Sequence, residues 1–443
     1  MGAGRVLLPG LPARQAGSLL TVAEALGRLL ANVAPLPSER LPLEGCLGRA
    51  LAAPLRAERR LPAFTGSAMD GYAVRSADLA RATSARPIDL PVAFEIAAGG
   101  AEPRALGPGE TARIFTGAPL PPGADAVVMQ EFVRLDCSGL AASARRPTEP
   151  SFSAGAGVAS FERPCPAGEN VRPAGEDLGL GELALPAGTT LGSAELGLAA
   201  ALGAQSLEVH RRPKVSLLTT GDELCEPGAA LPFSGIFDSN GPALSAAVLE
   251  AGAELAHRER VPDDAAAIRR ALERGVGADL LLTVAGVSVG DRDLVRTALA
   301  ELGVALDFWR VAMRPGKPVA LGRWPVRGTP VLGLPGNPVS AWVTFELFAR
   351  PLLRRLGGHR GPDRFFVEAR LTTPVQKPSQ LALYCRGRFA DGAFTPAARQ
   401  GSGHLTSIAR QDSLAELPIG PERFESGALV RVRLLGRPQG GTP

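Results

Sequence analysis

The chain has 443 residues, 45% of them hydrophobic and 21% charged, with 48 Lys plus Arg against 44 Asp plus Glu. The net charge of +4 is scattered and forms no stripe of the kind a nucleic-acid binder presents, and no apolar run approaches the roughly 18 residues of a membrane span; an anionic small molecule is the expected partner, with neither nucleic acid nor membrane. Five cysteines (46, 137, 165, 225 and 385) lie far apart without a CxxC pair and beside only four histidines, which excludes a zinc site and a disulfide framework and, with no export signal in the first thirty residues, predicts a cytoplasmic setting.

The length calls for about three domains. Thr21-Val-Ala-Glu24 reads as a capping box opening a helix to about Ala34, ended by Pro35 and Pro37. From Leu61 to Glu131, short apolar runs separated by Gly and Pro predict a small β-rich domain. Residues 137–165, rich in Ser, Ala, Gly and Pro, are assigned as a loop or insertion without chemistry. The stretch 173–203 ends in an Ala/Leu block that completes the helical N-terminal domain after that insertion.

Beyond Pro213 strands and helices alternate. KVSLLTT is strand-like, helices follow at about Asn240 to Ala251 and Asp263 to Arg274, and then come DLLLTVAG, the helix DRDLVRTALAELG, a strand near FWRVAM, the strand PVLGL and a long helix that Asn337 can cap with Pro338 at its first position. This order predicts a doubly wound parallel sheet over roughly 213–358. FFVEARL and ALVRVRLL place a last β domain in the tail. The fold class is therefore multidomain α/β and β: an N-terminal domain from 18–60 and 166–212, an inserted β-rich domain at 61–165, an α/β domain at 213–362 and a C-terminal β domain at 363–443.

Ligands of open α/β sheets collect beyond the carboxyl ends of the strands. TTGDELCEPG, AGVSVGDRD and LPGNPVSAW all fall there, and the last two run into helices whose free amides attract anions. The loops carry Asp222, Glu223, Asp291 and Asp293, a set suited to a hard cation such as Mg²⁺ held with substrate oxygens, with helix capping as the competing role. In FWRVAMRPGKP, Arg310, Arg314 and Lys317 offer three cations for oxyanions, with a solvated basic edge as the alternative. Histidines 210, 257, 359 and 404 lie outside these loops, so His-based acid/base catalysis is not expected and metal-assisted electrostatics is. Asp70-Gly71, in SAMDGYAV, is by itself the chemistry of a turn.

Nine motifs in order, SAMDGYAV, RIFTGAPLPPGADAVVMQE, RPAGEDLGLGE, TTGDEL, DSN, GVSVGDRD, RPGKP, LPGNPVSAW and QGSGHL, resemble the MoeA family of molybdopterin molybdenumtransferases, which includes the E domain of gephyrin. The resemblance implies that molybdate and adenylylated molybdopterin become molybdenum cofactor and AMP with a divalent cation. It also implies an elongated homodimer of four-domain subunits, the β-rich domain of one chain facing the α/β and C-terminal domains of the other, with other enzymes of the same biosynthesis as candidate partners. Carried over by position, it marks Asp70, Thr116 and Asp177 outside the α/β domain, Glu223, Asp263, Asp293, Arg310, Arg314, Pro335 and Pro338 within it, and Arg386 in the tail. Glu223 and Asp293 are assigned to Mg²⁺. Substrate contacts are expected from Thr220, Gly221, Asp222, Ser239, Asn240, Gly286, Ser288, Gly290, Lys317, Gly336, Asn337 and Ser340. Departures from the family pattern are Ala285, where it has glycine, and Arg310 and Arg314, where lysine is common. A dimeric scaffold with weak activity and a pterin adenylyltransferase are the alternative functions; the first does not need the retained acids and Lys317, and the second belongs to a single-domain relative.

Overall fold

The computed structural model describes residues 19–136, 157–285, 294–325, 328–361 and 364–436. The chain divides into two compact units, one formed by Pro54–Pro186 with Ser193–Gln205, the other by Met1–Ala53, Ala187–Gly192 and Ser206–Pro443.

The first unit is built on a six-stranded mixed sheet in the order Ala126–Met129, Gly71–Val74, Thr111–Ile114, Ile88–Ile96, Val158–Phe161, Val133–Asp136. Gly71–Val74 is buried along its whole length. Because successive side chains of a strand leave on opposite faces, Tyr72 and Val74 join one core with Leu79, Val128 and Phe161, while Ala73 joins another with Ile96, Ile114 and Val127. Val158–Phe161 corrects the loop expected over 137–165: it pairs with both Ile88–Ile96 and Val133–Asp136, and Phe161 meets Tyr72 edge-on at 6.2 Å. Residues 137–156 of that stretch lie outside the described residues.

The second unit opens with the helix Val22–Leu30, and both bonds of its capping box form: Glu24 N–H donates to Thr21 Oγ1, and Thr21 N–H to the Glu24 carboxylate. Its main sheet runs Glu254–Val261, Lys214–Thr220, Leu280–Val284, Pro330–Leu334, Pro318–Arg323, Ala305–Arg310. The first four strands are parallel, Pro318–Arg323 runs antiparallel to Pro330–Leu334, and Ala305–Arg310 antiparallel to Pro318–Arg323, so the sheet is doubly wound but mixed at one edge. Leu217 and Leu282 face Leu244, Val248, Val339 and Phe345; Leu218 and Leu281 face Ile268, Leu272, Val295 and Leu299 on the opposite side. The single strand expected near 308–313 is divided: Ala305–Arg310 ends the main sheet, and Met313–Arg314 pairs parallel with the tail strand Ala382–Ala390. That tail strand closes a barrel with Ala393–Pro396, Phe366–Leu371, Leu429–Leu434 and Ser413–Leu417, over a core of Ala369, Leu383, Phe394, Leu417 and Val432.

The long helix is continuous but irregular, with α-helical Pro338–Thr344, a π turn at Phe345–Ala349 and α-helical Arg350–Leu356. Glu346 in the π turn is fully buried and accepts from Arg350 Nη2 at 2.8 Å and from Arg364 Nη2 at 3.2 Å. Removing one partner of a buried ion pair leaves desolvated charge behind. Glu346→Ala is accordingly expected to lower the unfolding free energy by about 3–5 kcal/mol, read by urea denaturation; a loss below about 1 kcal/mol, the value of an exposed pair, would count against this.

Candidate functional site

The acidic side of the site grows from the carboxyl end of Lys214–Thr220. Thr220 is buried, Gly221 follows with its N–H on the Val261 carbonyl, and Asp222 and Glu223 emerge exposed. Asp263 arrives from the neighbouring strand, and its N–H donates to Asp222 Oδ1 at 3.0 Å. Desolvation first, then the charges of Asp222 and Glu223, push the Asp263 carboxyl above its ordinary range, against a backbone hydrogen bond from Asp222. Three loop carboxylates thus form one electrostatic group. Among the described residues no three acidic, His or Cys side chains enclose a metal by themselves. Mg²⁺ retains waters and shares substrate oxygens, so an open carboxylate face suits it. Asp293, Gly286, Ser288 and Gly290 lie outside the described residues.

Asp238, the first residue of DSN and not among the site residues expected from the sequence, organises that motif. Fully buried, it accepts from Thr219 Oγ1 at 3.0 Å and from Gly241 N–H at 2.8 Å. That fixes the start of the helix Asn240–Glu250, where Ser239 and Asn240 stand; Asn240 Nδ2 donates to the Gly336 carbonyl at 2.7 Å. DSN and LPGNP are thereby tied together. Pro335 and Ser340 are buried, Gly336 and Asn337 exposed. Pro338 occupies the first helical turn as expected, whereas the Asn337 side chain makes no cap hydrogen bond, which corrects its predicted role. Instead Val339 N–H donates to the Ser402 carbonyl at 3.0 Å, joining LPGNP to QGSGHL.

On the cationic side, Arg310, Arg314 and Lys317 are exposed around a tight loop closed by Val311 N–H to the Lys317 carbonyl. Gly316 permits it: φ is +100°, and a Cβ would meet the Met313 methyl and the Thr344 hydroxyl, each at 3.2 Å. Arg386 is completely buried, and its guanidinium donates to Ser407 Oγ at 3.3 Å, to the Tyr384 carbonyl at 3.4 Å and to the Gly401 carbonyl at 3.3 Å. Among the described residues none of these partners is a carboxylate. Burial, with the charge of Arg314 adding to it, lowers the Arg386 pKa to about 10. Ser407 is a second residue that sequence reasoning missed; its only signal was its place two residues after the end of QGSGHL.

In the other unit, Asp70 Oδ1 accepts from both the N–H and the hydroxyl of Thr116, each at 2.8 Å. These bonds, and to a lesser degree the charge of Arg113, hold the carboxyl below its usual range. Gly71 is not the turn glycine its pairing with Asp70 suggested: it lies between Ile114 and Met129 in the sheet, where a Cβ would overlap the Val128 carbonyl. Asp177 is exposed, with its N–H on the Leu61 carbonyl.

Family models match this layout end to end: the MoeA N-terminal region (domain I and II) over residues 20–203, a probable molybdopterin binding domain over 216–355 and the MoeA C-terminal region (domain IV) over 368–435. A molybdopterin molybdenumtransferase of Nostoc sp. is 36% identical across 87% of this chain and 86% of its own. The chain belongs to the MoeA family. Molybdopterin molybdenumtransferase 2 of Mycobacterium tuberculosis is 37% identical across 88% of this chain and 94% of its own. The crystal structure of a molybdopterin biosynthesis MoeA protein from Pyrococcus horikoshii superposes with a TM-score of 0.78 at 27% identity, over 94% of this chain and all of that one.

Within this MoeA fold Ala285, standing where the family has glycine, has φ at +70°, and a Cβ placed on Gly336 would lie 3.5 Å from the Ala285 Cβ. A left-handed alanine costs about 1–2 kcal/mol, and glycine returns roughly 0.5–1 kcal/mol of that as unfolded-state entropy. Ala285→Gly should therefore stabilise the protein by about 0.5–1 kcal/mol, visible as a raised denaturation midpoint; a lowered midpoint contradicts the assignment. Asp222→Asn should lower the Asp263 titration in carboxyl ¹³C NMR, because one of the two charges that raise it is gone while its desolvation stays. An unchanged Asp263 would show that the acids are not coupled.

Proposed function

We propose that the protein is a molybdopterin molybdenumtransferase that takes adenylylated molybdopterin and molybdate, inserts the metal and releases AMP. Arg386 is the observation that carries this reading: a cation buried at full depth has only neutral hydrogen-bond partners among the described residues, and an oxyanion substrate would supply a counter-charge. Arg314 adjoins it, and Arg310 and Lys317 stand on the same loop, so the cations are assigned to molybdate or pyrophosphate oxygens. The amides of TTGDEL and of LPGNPVS are assigned to the pterin and adenylyl phosphates. Glu223 is taken, with Asp293, to hold Mg²⁺ through oxygen ligands, and the raised Asp263 carboxyl beside it supports a site where a cation relieves repulsion. When bound, Mg²⁺ would neutralise phosphate charge; positioning and charge stabilisation fall to the side chains. Asp70, Thr116 and Asp177 are assigned to the same reaction. The working form is taken to be a cytoplasmic homodimer, which sedimentation at twice the chain mass would support.

AMP release from adenylylated molybdopterin, Mg²⁺ and molybdate by the purified protein tests the activity. No release where a known insertase works would favour the scaffold function. Glu223→Ala and Asp293→Ala should each slow release at least about tenfold, equivalent to ~1.4 kcal/mol in the barrier; normal rates would refute the metal assignment. Arg386→Gln should raise the molybdate concentration for half-maximal rate by about tenfold or more, the loss of one charge-assisted contact, while an unchanged molybdate dependence would move the oxyanion elsewhere.

A further inference from the structure

Arg113, which opens the motif RIFTGAPLPPGADAVVMQE but has no assigned role, stands where that motif meets SAMDGYAV. It lies on the strand Thr111–Ile114, opposite Tyr72 of SAMDGYAV in the antiparallel register and opposite Glu95 in the parallel one. Its guanidinium carbon sits 5.0 Å from the ring centre of Tyr72 and 5.1 Å from that of Phe115, and it donates to the side-chain oxygen of Gln130 of VVMQE. Gln130 N–H in turn donates to the main-chain carbonyl of Asp70 at 3.1 Å. Thr116, whose N–H and hydroxyl both hold Asp70 Oδ1, follows Arg113 by three residues on the same segment.

An arginine of this kind usually serves a carboxylate, and two are close, yet among the described residues Arg113 forms a contact ion pair with neither Glu95 nor Asp70. Its close partners among the described residues are two aromatic faces and an amide oxygen, all neutral, while its charge also acts on the Asp70 carboxyl; a planar guanidinium can lie over rings and keep its edge for hydrogen bonds. Tyr72 itself is buried and braced by Phe161. The clamp therefore anchors both strands that present Asp70: the one that begins at Gly71, through Tyr72, and the one that leads to Thr116.

We propose that Arg113 is a positioning residue for Asp70, acting in the transfer reaction through the Tyr72–Arg113–Phe115 stack and Gln130 and without touching substrate. The proposal rests on the assignment of Asp70 to the reaction. A double-mutant cycle on AMP release by the full-length protein tests it. Asp70→Asn alone should slow release about tenfold or more, whereas Arg113→Met and Arg113→Lys should each slow it by about fivefold or more in the parent and by less than about twofold further in the Asp70→Asn background. Arg113→Lys keeps the charge but not the stack, so failure of lysine to rescue marks the planar contact. Equal losses in both backgrounds, parent-like rates, or full rescue by lysine would overturn the proposal while leaving Asp70 in place. A parent-like Asp70→Asn would instead remove Asp70 from the reaction, and this proposal with it. If the Arg113 variants do not fold, Gln130→Met, which cuts one link of the same clamp, is expected to give the same non-additivity and is judged by the same outcomes.

Discussion

Two residues of backbone pairing, Met313 with Ala382 and Arg314 with Leu383, govern the cationic half of the site. They attach the loop that carries Arg310, Arg314 and Lys317 to a strand of the C-terminal barrel, and Arg386 follows Leu383 by three residues on that strand. Two like charges brought together in this way repel, and one of them is out of water. A fold keeps such an arrangement only when something else pins the backbone, and here the barrel closure, the Val339 to Ser402 tether and the carbonyl acceptors around Arg386 do so. Positive charge with only neutral hydrogen-bond acceptors among the described residues is thereby built into the folded protein.

The acidic half follows the opposite logic with the same means. Asp222, Glu223 and Asp263 lie at the carboxyl ends of adjacent parallel strands, where the topology leaves loops free to converge. Asp238, buried behind them, is spent on architecture: its two carboxylate oxygens organise a strand end and a helix start. A buried acid that ties two elements together thus contrasts with three loop acids whose charges act on one another.

Much of this was legible in the sequence, for reasons that are local. KVSLLTT and PVLGL are continuous β-rich runs, and they form strands at exactly those residues; Thr21 and Glu24 have the spacing of a capping box and make it. The positive φ at Ala285 was legible only through the family resemblance. What the sequence hid depends on contacts distant along the chain. The antiparallel edge of the main sheet, the division of FWRVAM between two sheets and the pairing of Val158–Phe161 are choices of partner, and local periodicity carries no information about partners. Gly71 looked like a turn because a neighbouring carbonyl is invisible in a dipeptide. Asn337 has the right identity for a cap and the right place, but Pro338 already supplies the helix start and the Asn337 side chain makes no cap hydrogen bond. Ser407 and the burial of Arg386 arise only when the barrel closes.

The π turn in the long helix has a consequence for how this chain tolerates change. It is an α-helix with one residue too many, so everything beyond Ala349 is rotated by about 100° relative to an uninterrupted helix. The two halves therefore keep separate phases: one presents LPGNPVS to the loops around it, and the other presents Arg350 to Glu346. A deletion of a single residue between Phe345 and Ala349 would make the helix more regular and the protein worse, because straightening the spiral would swing one of those faces away from its neighbours. Here the irregular turn is the adjustment that lets one rod serve two masters.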